Sequence, residues 1–256
     1  MKSPLGVIRR ELVRMAARRP VTGANHGAVI SFTFDDFPRT ALKSGGEILK
    51  AHGLFGTYYA AMAMMGTVNH LGEQFRREDL DVLLRDGHEL AGHTYGHVSC
   101  RKLSTDQFVE DMRKGQRAIQ EVTGGECSSN FAFPYGEVTV AGKRMVGQEV
   151  WSARGAWGGC NGPQIDLNLL RANKLYGGME QLTRIQQLIL ENERRQGWLI
   201  FYSHDVQPMP SPYGCDPELL KSVVAFAALH AARILPVKDV VAEFMAAPAQ
   251  AAHSTV

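Results

Sequence analysis

The chain has 256 residues, 45% of them hydrophobic and 21% charged, with a formal net charge of +2. That length supports one large α/β domain or two small ones, in a composition ordinary for a globular protein. The near-neutral balance gives no electrostatic footprint for nucleic acid, and no run of about 20 apolar residues predicts a transmembrane helix.

Residues 1–20 read as a basic amphipathic helix with Leu5, Ile8, Leu12 and Met15 on one side. Arg9, Arg10, Glu11, Arg14, Arg18 and Arg19 interrupt every window of the roughly 7–15 apolar residues that a secretory signal needs, so a cytoplasmic protein is expected. Such a helix either packs on its own domain or meets an anionic membrane or a partner subunit, as in a homodimer. The four cysteines (Cys100, Cys127, Cys160 and Cys215) form no C-x-x-C pair, which fits reduced thiols. No composition shift or repeat marks an internal boundary. The expected organisation is an N-terminal extension over 1–24, one domain over 25–246 and a frayed tail over 247–256.

The run V-I-S-F-T-F-D-D-F-P at 29–38 predicts a buried strand that ends in two carboxylates, Asp35 and Asp36. Adjacent buried carboxylates repel, so either a cation sits with them or one of them caps the next helix. A helix over 38–52 follows, with Gly45 and Gly46 allowing close packing. Next come a strand at 57–61 and an irregular, Met- and Gly-rich stretch at 62–71 that is a candidate substrate loop. A helix at 76–86 leads to a strand at 88–91, which runs into G-H-T-Y-G-H at 92–97. Ser104 and Gln107 form a capping box for a long helix closed by Gly124. Strands at 129–134, 150–153, 198–203 and 233–236 alternate with helices at 139–147, 180–196 (closed by Gly197), 217–232 and beyond 236.

This alternation predicts a largely parallel α/β sheet or barrel. The conspicuous polar groups all follow strands, where barrel folds build their sites: Asp35/Asp36, His93/His97, Pro134/Tyr135, Arg154/Trp157 and His204/Asp205. His93 and His97 are four residues apart, so a helical turn or a tight loop aims both rings at one point. Two imidazoles and a carboxylate make a metal set with an open position; the alternative is a pair of surface or capping histidines. A base beside such a metal serves hydrolysis, and His204 is either a matching acid or a cap for the turn after it.

In these motifs the chain resembles the polysaccharide deacetylases that share the NodB homology domain, carbohydrate esterase family 4. The resemblance rests on T-F-D-D at 33–36, H-T-Y-G-H at 93–97, F-P-Y-G at 133–136 and Y-S-H at 202–204. It implies a single-domain deformed (β/α) barrel and metal-dependent removal of acetyl groups from N-acetylated sugars. It further implies Asp35 as general base, Asp36, His93 and His97 as metal ligands, His204 as general acid, and the Tyr135 N–H as an oxyanion donor. Zinc is the expected ion, with cobalt, nickel or manganese as alternatives for the same ligands. The holdfast-type biosynthetic deacetylases of exopolysaccharide synthesis are the nearest subgroup, and the basic N-terminal helix suits work at the inner-membrane face.

Three departures stand against the family pattern. Ala132 occupies the place of the arginine that pairs with the base. The segment W-S-A-R-G-A-W at 151–157 lacks the carboxylates that orient the acid histidine, and Tyr202 replaces a leucine. In one reading Arg154 arrives from the neighbouring strand beside Asp35, with Trp157 and Tyr202 walling the acetyl pocket. In the other the site has decayed and the protein binds sugar without cutting it. Hydrolysis of a small cyclic amide is a further alternative.

Overall fold

The structure, a computed structural model, describes residues 4–23, 27–230 and 233–246. The expected tail, His26 and His253 lie outside the described residues. The strands are β1 (Pro20–Thr22), β2 (Val29–Asp35), β3 (Thr57–Ala60), β4 (Val68–Asn69), β5 (Gly72–Glu73) and β6 (Glu89–Gly92). They continue with β7 (Ser128–Ala132), β8 (Ser152–Arg154), β9 (Gln164–Asp166), β10 (Asn173–Lys174), β11 (Trp198–Ser203) and β12 (Arg233–Ile234). The helices are α1 (Pro4–Met15), α2 (Glu47–Lys50), α3 (Arg77–Arg85), α4 (Thr105–Thr123), α5 (Val140–Glu149), α6 (Leu182–Arg195), α7 (Pro217–His230) and α8 (Val237–Ala246).

A parallel sheet in the order β10-β11-β2-β3-β6-β7-β8 curls around the centre, with β12 alongside β2. The stretch just before β10 hydrogen-bonds back to β8, through Leu170 N–H to the Ala153 carbonyl and Gly155 N–H to the Leu170 carbonyl. The result is the deformed (β/α) barrel that the family resemblance implies, with the parallel strands that the alternation of elements predicts. Alternation within β2 sorts its side chains: Ile30, Phe32 and Phe34 join the apolar layer under the helices, while Ser31, Thr33 and Asp35 take the other face. Both faces are buried, which is why the strand reads as a continuous apolar run.

Helix signals in the sequence act as expected at several points. Ser104 and Gln107 form the reciprocal capping box at α4, and Gly124 ends the helix in a left-handed conformation. The helix expected over 38–52 is a π-helical turn, Ala41–Gly46, running into α2. Gly45 there meets Phe34 and Val206 so closely that a Cβ would stand 3.0 Å from Val206 Cγ2. At α6 the left-handed cap is Gln196, one residue before the expected Gly197.

The N-terminal segment is tied to the barrel, though not by the expected face. β1 pairs antiparallel with β9, and the buried Lys143 ammonium donates to the Val13 carbonyl at 2.9 Å and pairs with Asp166 at 2.7 Å. Val13 is buried, whereas Ile8, Leu12 and Met15 stay about 60% exposed. The docking side is set by the carbonyls that Lys143 needs, so the apolar stripe faces outward. No helix among the described residues is long and apolar enough to cross a membrane.

Candidate active site

β2 delivers Asp35 as its last residue, and Asp36 follows with φ of 62°, a left-handed conformation costly for a residue with a Cβ. That turn swings the second carboxylate away from helix capping and toward the loop after β6. There Thr94 and His97 also adopt positive φ, 60° and 52°. The loop is pinned by Asp111 of α4, which accepts the N–H groups of Tyr95 and Gly96 at 3.0 and 2.9 Å. Gly115 lets α4 approach this closely, since a Cβ on it would stand 2.8 Å from the Thr94 carbonyl.

Asp36 Oδ1 consequently lies 3.0 Å from His97 Nε2 and 3.4 Å from His93 Nε2, yet makes no hydrogen bond. His93 Nδ1 meets the Ala132 carbonyl at 2.7 Å, which makes it the protonated nitrogen and turns Nε2 toward the carboxylate. Burial holds the His93 imidazole down at about 4, in the neutral form that binds metals. For Asp36 burial pushes the other way, but His97, His93 and His204 outweigh it and hold the carboxyl well below the usual range. Ligand atoms of Asp36, His93 and His97 all fall within 4.8 Å of one another. An orphaned, ionised, buried oxygen facing two imidazole nitrogens is a donor set that fits a divalent cation.

Arg154 stands where the sequence leaves a gap. Ala132 and Arg154 are direct partners in the β7–β8 register, so the guanidinium enters the barrel one strand away from the position the family pattern would use. It is buried, hydrogen-bonds Asp35 through Nη2, and lies 4.9 Å from the Tyr59 ring and 5.2 Å from the Tyr202 ring. Burial opposes its charge, but the nearby Asp35 carboxylate more than compensates and the guanidinium stays firmly protonated. His204 Nε2 faces Asp36 Oδ2 at 4.0 Å. Its Nδ1 is held by the Tyr213 carbonyl at 3.1 Å, so a backbone oxygen orients this ring where the family pattern would use an aspartate. The loop that returns Tyr213 is folded around Asp205, which accepts both the N–H and the hydroxyl of Ser211.

Asp35, Asp36, His93, His97, Tyr135, Tyr202 and His204 all line one cavity of about 710 Å³. Tyr135 has φ of 60° at the turn after β7, and its exposed ring packs 4.5 Å from His97. The 62–71 stretch, a 3₁₀ turn followed by the start of the β4–β5 hairpin, contributes Met64, Asn69, His70 and Leu71 to the wall. Two expected site residues are absent from this lining: Arg154, buried behind it against Asp35, and Trp157, which is drawn away altogether. Trp157 lies under Arg10 of α1, 5.1 Å from the guanidinium, because the N-terminal helix occupies that side of the barrel. Tyr59, Tyr176, Tyr213 and Asp111 escaped the sequence reading. Of these only Tyr59, at the C-terminal end of a predicted strand, had a usable signal.

Residues 22–147 match the polysaccharide deacetylase family. The peptidoglycan-N-acetylglucosamine deacetylase of Listeria monocytogenes is 27% identical over 122 residues, 47% of this chain and 23% of that protein. The chain spans about a quarter of the length of the curated relatives it matches. Among solved structures, the chitin deacetylase of Colletotrichum lindemuthianum superposes with a TM-score of 0.58 at 16% identity, covering 92% of this chain and 96% of that one. A family 4 acetyl xylan esterase of Clostridium thermocellum, in complex with cobalt, gives 0.56 at 17% identity over 84% and 91%. Over residues 22–147, just under half of its length, the chain matches the polysaccharide deacetylase family, and its motifs and barrel are those of the NodB type.

Proposed function

We propose that the chain removes N-acetyl groups from N-acetylhexosamine units of an oligo- or polysaccharide, using a divalent metal held by Asp36, His93 and His97. The observation that carries this reading is the unshared Asp36 oxygen between two imidazoles, with a separately paired carboxylate, Asp35, beside it. When bound, the ion supplies Lewis-acid polarisation of the acetamide carbonyl and acidifies water. Zinc suits this donor set best, and cobalt, nickel or manganese fit the same atoms.

Asp35, hydrogen-bonded by the Arg154 guanidinium, accepts the proton of the attacking water. As the C–N bond breaks, His204 Nε2 protonates the departing amine, with the ring steered by the Tyr213 carbonyl. The Tyr135 N–H stabilises the oxyanion, and Tyr202 forms part of the wall against which the acetyl group rests. The substrates are precursors or chains of a surface exopolysaccharide, handled at the cytoplasmic face of the inner membrane. The exposed Ile8, Leu12 and Met15 beside Arg9 and Arg14 support such peripheral contact.

Acetate release from acetylated chito-oligosaccharides tests the reading. Chelator abolishes release, and Asp35→Asn lowers it by about 10³-fold, within the range general-base removal produces. Release that persists in chelator, or in the Asn variant, overturns the mechanism. Sugar binding without release in the metal-loaded wild type makes the protein a binding module instead.

A further inference from the structure

The site cavity shares a wall with a second cavity of about 470 Å³, lined in common by Ala156, Lys174, Tyr176 and Tyr202. This annex lies between the C-terminal ends of β10 and β11 and the start of α6. Its charged lining is wholly cationic, Lys174 and Arg184, with Asn173 and Gln181 as neutral polar company. Among the described residues neither cation pairs with a carboxylate. Lys174 Nζ lies 5.4 Å from the Tyr176 ring, and Arg184 donates to Gln181 Oε1 at 3.2 Å and to the Lys174 carbonyl at 3.4 Å. Glu180, on the same turn, accepts the Gly178 N–H and does not line the annex. Several arginines and lysines elsewhere on the surface do pair, as Arg77 does with Asp81, Arg113 with Glu149 and Lys221 with Glu218.

Two unpaired cations in a recess that opens into the reaction cavity are placed for an anion carried by the substrate itself. We infer that the annex is an anion subsite, and that the substrate bears a carboxylate or phosphate on the unit next to the N-acetylhexosamine being deacetylated. This rests on the deacetylase reading for the identity of the neighbouring unit, and on the geometry of the annex alone for the charge. Charge-assisted hydrogen bonds to Arg184 and Lys174 would orient the sugar before the acetamide reaches Asp35.

The test compares kcat/KM for neutral N,N′-diacetylchitobiose with that for N-acetylglucosaminyl-glucuronate and for UDP-N-acetylglucosamine. The last two separate a carboxylate from a phosphate source. In the metal-loaded wild type at least one anionic substrate exceeds the neutral one, and Arg184→Gln or Lys174→Gln lowers the anionic-to-neutral ratio about tenfold, the loss of one charge-assisted contact. An unchanged ratio, or a neutral substrate preferred throughout, overturns the subsite. Calorimetric titration of Asp35→Asn protein with the same three compounds reads the annex without turnover. Salt-sensitive anion binding that Arg184→Gln removes supports the subsite even if no substrate releases acetate, whereas acetate release without anion preference leaves the deacetylase reading standing and the subsite refuted.

Discussion

The barrel carries a buried carboxylate cluster at each end, and the two are built on opposite principles. At the end where the strands begin, Glu89 is buried and fully satisfied. One oxygen accepts the Thr57 hydroxyl at 2.7 Å and the Lys238 N–H at 2.8 Å; the other accepts the Ser128 hydroxyl at 2.6 Å and the Asn130 amide at 2.7 Å. Asn130 in turn accepts the Ser152 hydroxyl, so the first residues of β3, β6, β7 and β8 share one closed network. At the end where the strands finish, Asp36 keeps an oxygen without a hydrogen bond, and Asp36, Phe37, Thr94, His97 and Tyr135 all hold positive φ. A polar group with every partner supplied by the chain holds a fold together. A polar group left open, on backbone the fold must strain to hold, is kept for something that is not part of the chain.

The sharpest way to break this contrast is to open the finished half of the upper cluster. Arg154→Ala leaves Asp35 as a buried charge without its cation, a change that costs about 3–5 kcal/mol of stability when a buried pair loses one partner. The proposed metal ligands do not touch the guanidinium, so bound metal per folded protein stays the same while acetate release falls by about 10²-fold or more through loss of the positioning of the proposed base. Arg154→Lys restores charge but not the planar stacking between Tyr59 and Tyr202, and recovers activity only in part. Metal content and kcat measured on the same preparations decide it. Full activity in the alanine variant refutes the role of Arg154, and loss of metal with activity moves the residue into the metal shell.

How far the sequence leads differs between the two ends for physical reasons. The long central strands, the caps of α4 and the H-x-x-x-H pair depend on local periodicity and spacing, and they were legible; the two- and three-residue strands β1, β4, β5, β9 and β10 are too short to carry a period and were not. The buried carboxylate pair alone left a cation and a helix cap open, and the arginine beside Asp35 came from the family pattern that Ala132 breaks; the β7–β8 register puts Arg154 directly across from Ala132. The orientation of His204 was not legible, because its partner is a backbone carbonyl nine residues on, with no side chain to announce it. Positive φ at Asp36 and His97 was equally hidden, since no glycine marks either position. The outward apolar face of α1 and the withdrawal of Trp157 both follow from one tertiary event, the burial of Lys143 against the helix carbonyls. Glu89, Thr57 and Ser128 start three separate strands and Lys238 lies in a helix, and nothing local in the sequence brings them together.

A smaller effect sharpens the lower end. In Glu89→Gln one acceptor oxygen becomes an NH₂ group pointed at donors. Thr57 and Ser128 hydroxyls can rotate, but the Lys238 N–H is fixed in the first turn of α8, so one buried donor loses its partner at a cost of about 2 kcal/mol. Urea unfolding followed by circular dichroism reads that loss, while kcat per folded molecule stays at the wild-type value. A fall in kcat without loss of stability contradicts the division of the barrel into a holding end and a working end.

The smallest effect comes from His88, the residue before Glu89. Its Nδ1 accepts the Gly56 N–H at 3.0 Å, and its Nε2 is buried without a hydrogen-bond partner, near the Tyr58 and Phe55 rings. A second proton would have to enter against the Gly56 N–H. Burial therefore holds the imidazole down at about 4, with the neighbouring Asp86 pulling it up and Lys50 and Lys238 pulling it further down. The unfolded chain binds that proton from about pH 6.5 downward and the folded chain does not, so unfolding takes up a proton throughout this window. Stability from this residue is complete above about pH 6.5 and declines as the pH falls toward 4. Between pH 7 and pH 5 the decline is about 1–2 kcal/mol. His88→Gln removes the titrating group, so the wild-type-minus-variant difference in unfolding free energy shrinks with acidification; a difference that is flat across that range shows that His88 is protonated equally in both states and is no part of the acid sensitivity.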